Sequence, residues 1–144
     1  MDRFGGVWEG RTGSLAGPVK GSATGGSQGF AQLACFIGDF SAAAPTPAAR
    51  SSMLALLAVL AERYGVDTRD GAQVSFVSRG SNRWPPGTEV TTRTIAGHRD
   101  MSMTACPGDV LYEDVLRHYP TDVTALRPPP PAARSSWKGS RLPV

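Results

Sequence analysis

An imidazole and a thiol lie close together in one short segment of this sequence. His98 precedes Cys106 by eight residues, and Pro107 and Gly108 then open a predicted helix. The partial positive charge at a helix N-terminus favours loss of the proton from a nearby thiol. A thiolate and a neutral imidazole are both ligands that zinc accepts. The pair His98 and Cys106 is therefore a candidate metal site.

Two other interpretations of these residues stay open. A catalytic zinc site needs three protein ligands and an open water position, and this pair supplies only two. In a purely structural interpretation, His98 ends a strand and Cys106 is a partly buried thiol, and the spacing by itself does not decide against it. In a third interpretation, Cys106 is a nucleophile and His98 its base. The sequence shows no signature for the orienting residue and oxyanion hole that such an enzyme needs.

Length and composition exclude several classes of protein. The chain of 144 residues fits one domain, and its 40% hydrophobic and 19% charged residues are not those of a disordered chain. The net charge of +3 comes from scattered arginines without interleaved aromatics, so no nucleic acid is expected as a partner. No apolar stretch approaches the roughly 18 residues of a membrane span. The first residues carry no charged-then-apolar leader, so no secretory signal is predicted.

The elements that must position this segment follow from apolar periodicity. The pattern predicts an α/β chain with strands near 6–9, 32–37, 74–77 and 92–97 and helices near 47–64 and 108–119. The run from Leu33 to Ile37 is continuously apolar, which is typical of a buried central strand, and it makes Cys35 a core residue. The first helix has the clearest signals, with Thr46 as N-cap, a proline directly after it and Gly65 as C-cap.

The pattern ends near Pro120. Residues 1–119 are therefore predicted to form the domain, and residues 120–144, rich in Pro, Arg and Ser, to form an exposed, disordered tail. Residues 12–29 are predicted to be a long loop, and residues 82–87 a turn-rich excursion that contains Trp84. Packing of Trp84 under this turn is favoured over stacking on a sugar ring.

The residues around the candidate site resemble a known family. Gly97–Asp100 followed by Thr104–Gly108 resembles the signature of the peptidoglycan recognition protein family, which includes the zinc-dependent N-acetylmuramoyl-L-alanine amidases. Further resemblance lies in residues 2–11, 37–40 and 78–85, and the last of these is similar to an insertion in actinobacterial members. The resemblance covers residues 2–119.

The resemblance implies a fold and a set of site residues. The fold is a mixed central β-sheet flanked by helices, from which this chain is expected to lack the first strand and helix. In the family two histidines and a cysteine hold zinc, and His98 and Cys106 match the second histidine and the cysteine. Thr104 matches the catalytic position near the reacting carbonyl, where a hydroxyl can donate one hydrogen bond to an oxyanion. Ala23 stands where members often carry a histidine that lines the substrate groove.

The family's first zinc histidine and its assisting tyrosine lie upstream of the segment that matches Met1–Arg11, so the chain is expected to be N-terminally truncated and its zinc site incomplete. The implied activity is hydrolysis of the amide between N-acetylmuramic acid and L-alanine in peptidoglycan, by a water that zinc activates. The alternative is a non-catalytic module that binds peptidoglycan or muropeptides. In either case the resemblance implies an extracellular or cell-wall location.

Overall fold

The computed structural model describes residues 1–127 of the chain. In this range four α-helices and one two-stranded antiparallel sheet follow a long irregular N-terminal stretch, which confirms a mixed α/β chain. In chain order the elements are α1 (Pro47–Tyr64), β1 (Gln73–Val77), β2 (Glu89–Arg93), α2 (His98–Met101), α3 (Asp109–Arg117) and α4 (Tyr119–Leu126), with a 3₁₀ turn at Gly25–Ser27.

Helix α1 begins and ends where its local signals place it. The Thr46 hydroxyl accepts a hydrogen bond from the Ala49 N–H at 3.2 Å, and Pro47 occupies the first turn, where its missing N–H has no helical partner. Gly65 ends the helix in the left-handed conformation, with φ of 63°, and its N–H donates to the Ala61 carbonyl. No helix within residues 1–127, α1 included, is long and apolar enough to span a membrane.

The core lies where α1 packs against α3 and α4. Arg50 on α1 links all three helices, because its guanidinium donates to Asp114 on α3 and to Asp122 on α4. Apolar side chains from the three helices, together with the first residue of the chain, fill the space between them: Met1, Met53, Leu54, Ala58, Leu111, Val115, Tyr119 and Val123. The packing of helix on helix, rather than of helix on sheet, therefore builds the main hydrophobic core of the described residues.

The mixed central sheet that the sequence predicted is not found among residues 1–127. The pairing in this range joins β1 to β2, from Gln73 opposite Arg93 to Val77 opposite Glu89. The strands predicted near 74–77 and 92–97 correspond to this hairpin, with the second lying earlier in the chain than expected. Residues 6–9 form no strand. The Asp2 carboxylate accepts hydrogen bonds from the N–H groups of Phe4 and Gly6 and from the Trp8 indole, and these bonds fold the first residues into a turn.

The apolar run at residues 32–37 is also not a buried strand. Within residues 1–127 its main chain hydrogen-bonds only to Met1, whose N-terminal amine donates to the Cys35 carbonyl at 2.9 Å and whose carbonyl accepts from Ile37 at 2.8 Å. Phe36 packs against the core, whereas Leu33, Cys35 and Ile37 are exposed. The prediction that Cys35 is a core residue is therefore wrong. Apolar composition shows that a segment tends to be buried, but it does not show which strands exist to pair with it.

The domain boundary predicted at residue 119 lies too early. The helix expected near 108–119 corresponds to α3, and a further helix that was not predicted, α4, begins directly after His118. Pro120 belongs to the first turn of α4, where a proline is tolerated, and Val123 in the same helix is completely buried. The domain therefore includes α4. The prediction of a disordered tail at 128–144 lies outside the described residues.

Candidate functional site

The segment that carries the candidate ligands, residues 97–108, connects the hairpin to the helical core and is called the site segment below. Strand β2 ends at Arg93, so His98 does not end a strand; it is the first residue of α2, a single helical turn. Cys106 lies in the loop before α3, ahead of the N-cap residue Gly108. The cysteine is thus near the start of a helix, as predicted, but outside its first turn.

Asp100 ties the start of α2 to α3. One carboxylate oxygen accepts the Gly97 N–H at 2.7 Å, and the other accepts the Tyr112 hydroxyl at 2.5 Å. Burial raises the pKa of Tyr112, and the hydrogen bond to Asp100 raises it further, so the phenol keeps its proton and remains a donor. Gly97 itself lies so close to the Tyr112 ring that a Cβ there would approach a ring carbon to 2.7 Å. These contacts fix the residue directly before His98.

Arg99 ties α2 to the part of the site segment that carries the cysteine. Its guanidinium donates to the Ala105 carbonyl at 2.5 Å and to the Asp109 carboxylate at 2.8 Å, and it lies 4.6 Å from the centre of the Tyr112 ring. The Arg99 side chain is 23% exposed but the Asp109 side chain is 81% exposed, so solvent screens this ion pair and the hydrogen bond to the Ala105 carbonyl is the more important contact. Arg99 therefore joins the neighbour of His98 to the neighbour of Cys106.

Gly108 anchors the far end of the site segment. Its backbone has φ of 94° and ψ of 152°, a conformation that essentially only glycine adopts. A Cβ at this position would lie 2.4 Å from the carbonyl carbon of Phe40 and 2.6 Å from the nitrogen of Ser41. Because only glycine allows this close approach, the loop that contains Cys106 lies directly against the backbone of Phe40 and Ser41.

Trp84 packs against the site segment from the outside. Its side chain is half-buried, its indole N–H donates to the Asp100 carbonyl at 3.0 Å, and the Arg83 guanidinium lies over the ring at 5.2 Å. These contacts agree with packing of Trp84 under its turn rather than with a ring presented to a sugar.

The long loop at 12–29 is anchored near the same place. Thr24, Gly26 and Ser27 are buried, and the Gly26 carbonyl accepts the N–H of Arg79 at 3.0 Å. A Cβ on Gly26 would approach the Ser78 hydroxyl to 2.4 Å, so the loop passes very close to the excursion that carries Trp84. Ala23, at the position matched to the family's groove histidine, is exposed directly before the buried stretch.

The three predicted site residues all lie in the site segment, and within residues 1–127 no hydrogen bond joins one of their side chains to another. His98 and Thr104 are half-buried and Cys106 is exposed. The Thr104 hydroxyl oxygen accepts the Cys106 N–H at 3.2 Å, which leaves its own proton free to donate. Among the described residues, neither the His98 imidazole nor the Cys106 thiol has a hydrogen-bond partner, although the backbone around both is firmly tied.

The described residues do not by themselves complete a zinc site. No group of three His, Cys, Asp or Glu side chains within residues 1–127 is arranged to hold a metal ion. His98 and Cys106 offer chemically suitable donors, but catalytic zinc requires a third protein ligand. The site as described therefore fits zinc only in part.

The two pockets found in residues 1–127 with the best-defined walls lie away from the site segment. A pocket of about 590 Å³ lies between α1 and the end of α4, with Val59 and Leu126 in its wall, and another of about 250 Å³ contains Phe30 and Tyr64. Neither is lined by a residue of the site segment, and the larger is a shallow apolar groove without converging polar groups. A ligand pocket normally combines apolar walls with a few converging polar groups, and the larger groove lacks the polar groups.

Sequence analysis missed the residues that hold the site segment in place. Tyr112 and Asn82 both hydrogen-bond to it, from 12 and 21 residues away respectively, and nothing in the local pattern around either one signals this contact. Comparison with protein-family models, with curated proteins and with solved structures finds no match for this chain.

Proposed function

We propose that this chain is part of a zinc-dependent N-acetylmuramoyl-L-alanine amidase, with His98 and Cys106 as two of the zinc ligands. The proposal starts from the resemblance of residues 97–100 and 104–108 to the peptidoglycan recognition protein signature. The observation that carries it is the contrast within the site segment. Its backbone is tied by Arg99 and Asp100, while the imidazole and the thiol have no protein partner among residues 1–127.

This contrast favours a ligand site over a structural role for the two residues. A histidine and a cysteine that serve packing are usually buried, and a structural histidine donates to a carboxylate or a carbonyl. Cys106 is exposed and His98 is only half-buried, so neither contributes to the hydrophobic core. Preorganised backbone with free donor atoms is what a ligand site requires.

In this proposal the substrate is the muramyl peptide of peptidoglycan, and the chain acts outside the cell or in the cell wall. Thr104 donates a hydrogen bond from its hydroxyl to the lactyl carbonyl oxygen of the scissile amide, since the Thr104 oxygen already accepts from the Cys106 N–H. The third zinc ligand comes from outside residues 1–127. Arg99 and Asp100 do not contact substrate; they hold the backbone on either side of His98.

The second candidate is a module that binds peptidoglycan without hydrolysing it. The observation that favours it is that residues 1–127 contain no three-ligand group. Both candidates predict that the chain sediments with insoluble peptidoglycan, but only the amidase releases stem peptide and loses this activity with a chelator. For the amidase we expect His98→Ala and Cys106→Ser to weaken zinc binding, whereas the binding module does not require zinc at these residues.

The test combines sedimentation, peptide release and inhibition, with Cys35→Ser as the parent because Cys35 is also an exposed thiol. Release of stem peptide that stops on chelation supports the amidase, and so does zinc bound through His98 and Cys106 without release, because the third ligand lies outside residues 1–127. Sedimentation with neither release nor zinc binding supports the binding module. A chain that neither sediments with peptidoglycan nor binds zinc through His98 and Cys106 would refute both. Inactivation by iodoacetamide with no effect of chelator would favour a Cys106 nucleophile instead.

A further inference from the structure

The loop formed by residues 81–84, which we call the brace, makes an unusual set of contacts with the site segment. Each of its four side chains donates to a main-chain carbonyl there: Arg83 to Arg99 at 3.0 Å, Trp84 to Asp100 at 3.0 Å, Ser81 to Met101 at 2.8 Å and Asn82 to Met103 at 3.1 Å. Asn82 also accepts the Met103 N–H at 2.8 Å. The brace therefore binds four main-chain carbonyls within residues 99–103, and three of them are consecutive.

Those carbonyls are the ones that α2 leaves without partners. A helix cannot satisfy its last four carbonyls internally, and α2 is only His98–Met101. The His98 carbonyl accepts the Ser102 N–H at 3.0 Å, which leaves the carbonyls of residues 99, 100 and 101. These three are the carbonyls that Arg83, Trp84 and Ser81 bind. A single isolated turn is unstable because helix nucleation is unfavourable, so external caps are needed to maintain it.

We propose that Ser81, Asn82, Arg83 and Trp84 are positioning residues that set the location of His98 relative to Cys106. The brace holds the carbonyl end of α2, and Asp100 holds its other end through the Gly97 N–H. Asp100 is itself part of α2, and its other carboxylate oxygen accepts from the Tyr112 hydroxyl of α3, so the brace and Tyr112 together hold the single turn that begins with His98. The functional meaning of this inference rests on the proposed function, in which His98 and Cys106 bind one ligand, but the geometry is testable without metal or substrate.

The chain offers a matched control. Arg93 donates to the Leu116 carbonyl at 3.0 Å, near the end of α3, so Arg93→Ala removes a side-chain-to-carbonyl bond of the same kind that does not touch α2. The brace variants are Asn82→Ala, which removes both bonds to Met103, and Trp84→Phe, which removes the indole donor but keeps a ring. Thermal melts of all three variants identify any that fail to fold, and two independent brace variants keep the test usable.

The first measurement is amide hydrogen exchange. We expect the amides of Asp100, Ser102 and Met103, which donate hydrogen bonds in this stretch, to exchange about tenfold faster in each brace variant, as for the loss of one hydrogen bond, with no change there in Arg93→Ala. The second measurement places a nitroxide on Cys106 in a Cys35→Ser background and records the broadening of the His98 amide resonance. This broadening depends on the distance between the two residues, and we expect it to change in the brace variants alone.

Unchanged exchange and unchanged broadening in both brace variants would overturn the proposal, as would equal effects in Arg93→Ala. Faster exchange with the same broadening would also overturn it, because the brace would then stabilise α2 without setting the distance to Cys106. Neither readout involves zinc or peptidoglycan. A chain that binds neither, with both readouts changed, would refute the proposed function and leave the positioning role standing.

Discussion

The link that Arg50 forms between three helices leads to a prediction about stability. Its guanidinium lies 2.7 and 3.0 Å from the two carboxylate oxygens of Asp114 and 2.7 Å from Asp122. The three side chains are 29%, 20% and 38% exposed. Fully exposed ion pairs contribute about 0.2–1 kcal/mol, and removing one partner of a buried pair costs about 3–5 kcal/mol. This intermediate burial predicts a loss of about 2 kcal/mol for Arg50→Ala.

The same contacts predict a dependence on pH. Burial alone would raise the pKa of Asp114, but hydrogen bonding to Arg50 and its charge outweigh burial and hold that pKa below its ordinary value. A lowered carboxyl pKa contributes stability above the pKa of the unfolded chain, about 3.9, and this contribution is lost as pH falls through the folded-state value. The stability difference between the parent and Arg50→Ala should therefore shrink as pH falls from about 5 to about 3.

Urea and thermal unfolding followed by far-ultraviolet circular dichroism measure both effects. We expect the midpoint temperature of Arg50→Ala to fall by roughly 8 °C for a domain of this size. The control is Arg69→Ala, because Arg69 pairs with Asp67 at the surface with its side chain 82% exposed; we expect no measurable change there. Equal shifts in the two variants, or a difference for Arg50→Ala that does not vary with pH, would refute this account of the core.

Two further predictions concern a glycine in close contact with neighbouring backbone and a completely buried valine. Gly108→Ala should destabilise the chain by about 3–5 kcal/mol, since it adds backbone strain and a clash with Phe40. The control is Gly87→Ala, because Gly87 has φ of 86° but no atom near the position of a Cβ; its free energy of unfolding should fall by only about 1–2 kcal/mol. Equal losses of the two variants in urea melts would contradict the close approach at Gly108. Val123→Ala, at a position with no exposed surface, should cost about 2 kcal/mol, and a neutral result would mean that α4 is not part of the core.

The sequence by itself determined the elements whose signals are local. Thr46 and Gly65 mark the ends of α1 correctly because a cap acts within one helical turn. The hairpin strands were recognisable near their true positions for a similar reason, since β-branched residues alternate with polar ones over a few positions. Alternation does not define where pairing stops, and the second strand was therefore placed too late.

The tertiary structure decided which segments have partners. The apolar run around Cys35 has the composition of a central strand, but the main chain of residues 32–37 is tied only to Met1 within the described part of the chain. Helix α4 was not predicted because Pro120 was taken as a stop, whereas burial of Val123 against the other helices makes the proline an ordinary first-turn residue.

The candidate site divides in the same way. Residue type makes His98 and Cys106 candidate ligands, because the chemistry of a side chain is a local property, and Thr104 is a candidate through the resemblance to the family signature. The groups that hold them come from far along the chain, with Asn82 reaching Met103 over 21 residues and Tyr112 reaching Asp100 over 12. Such contacts depend on how the chain folds back on itself, and only the folded structure specifies that.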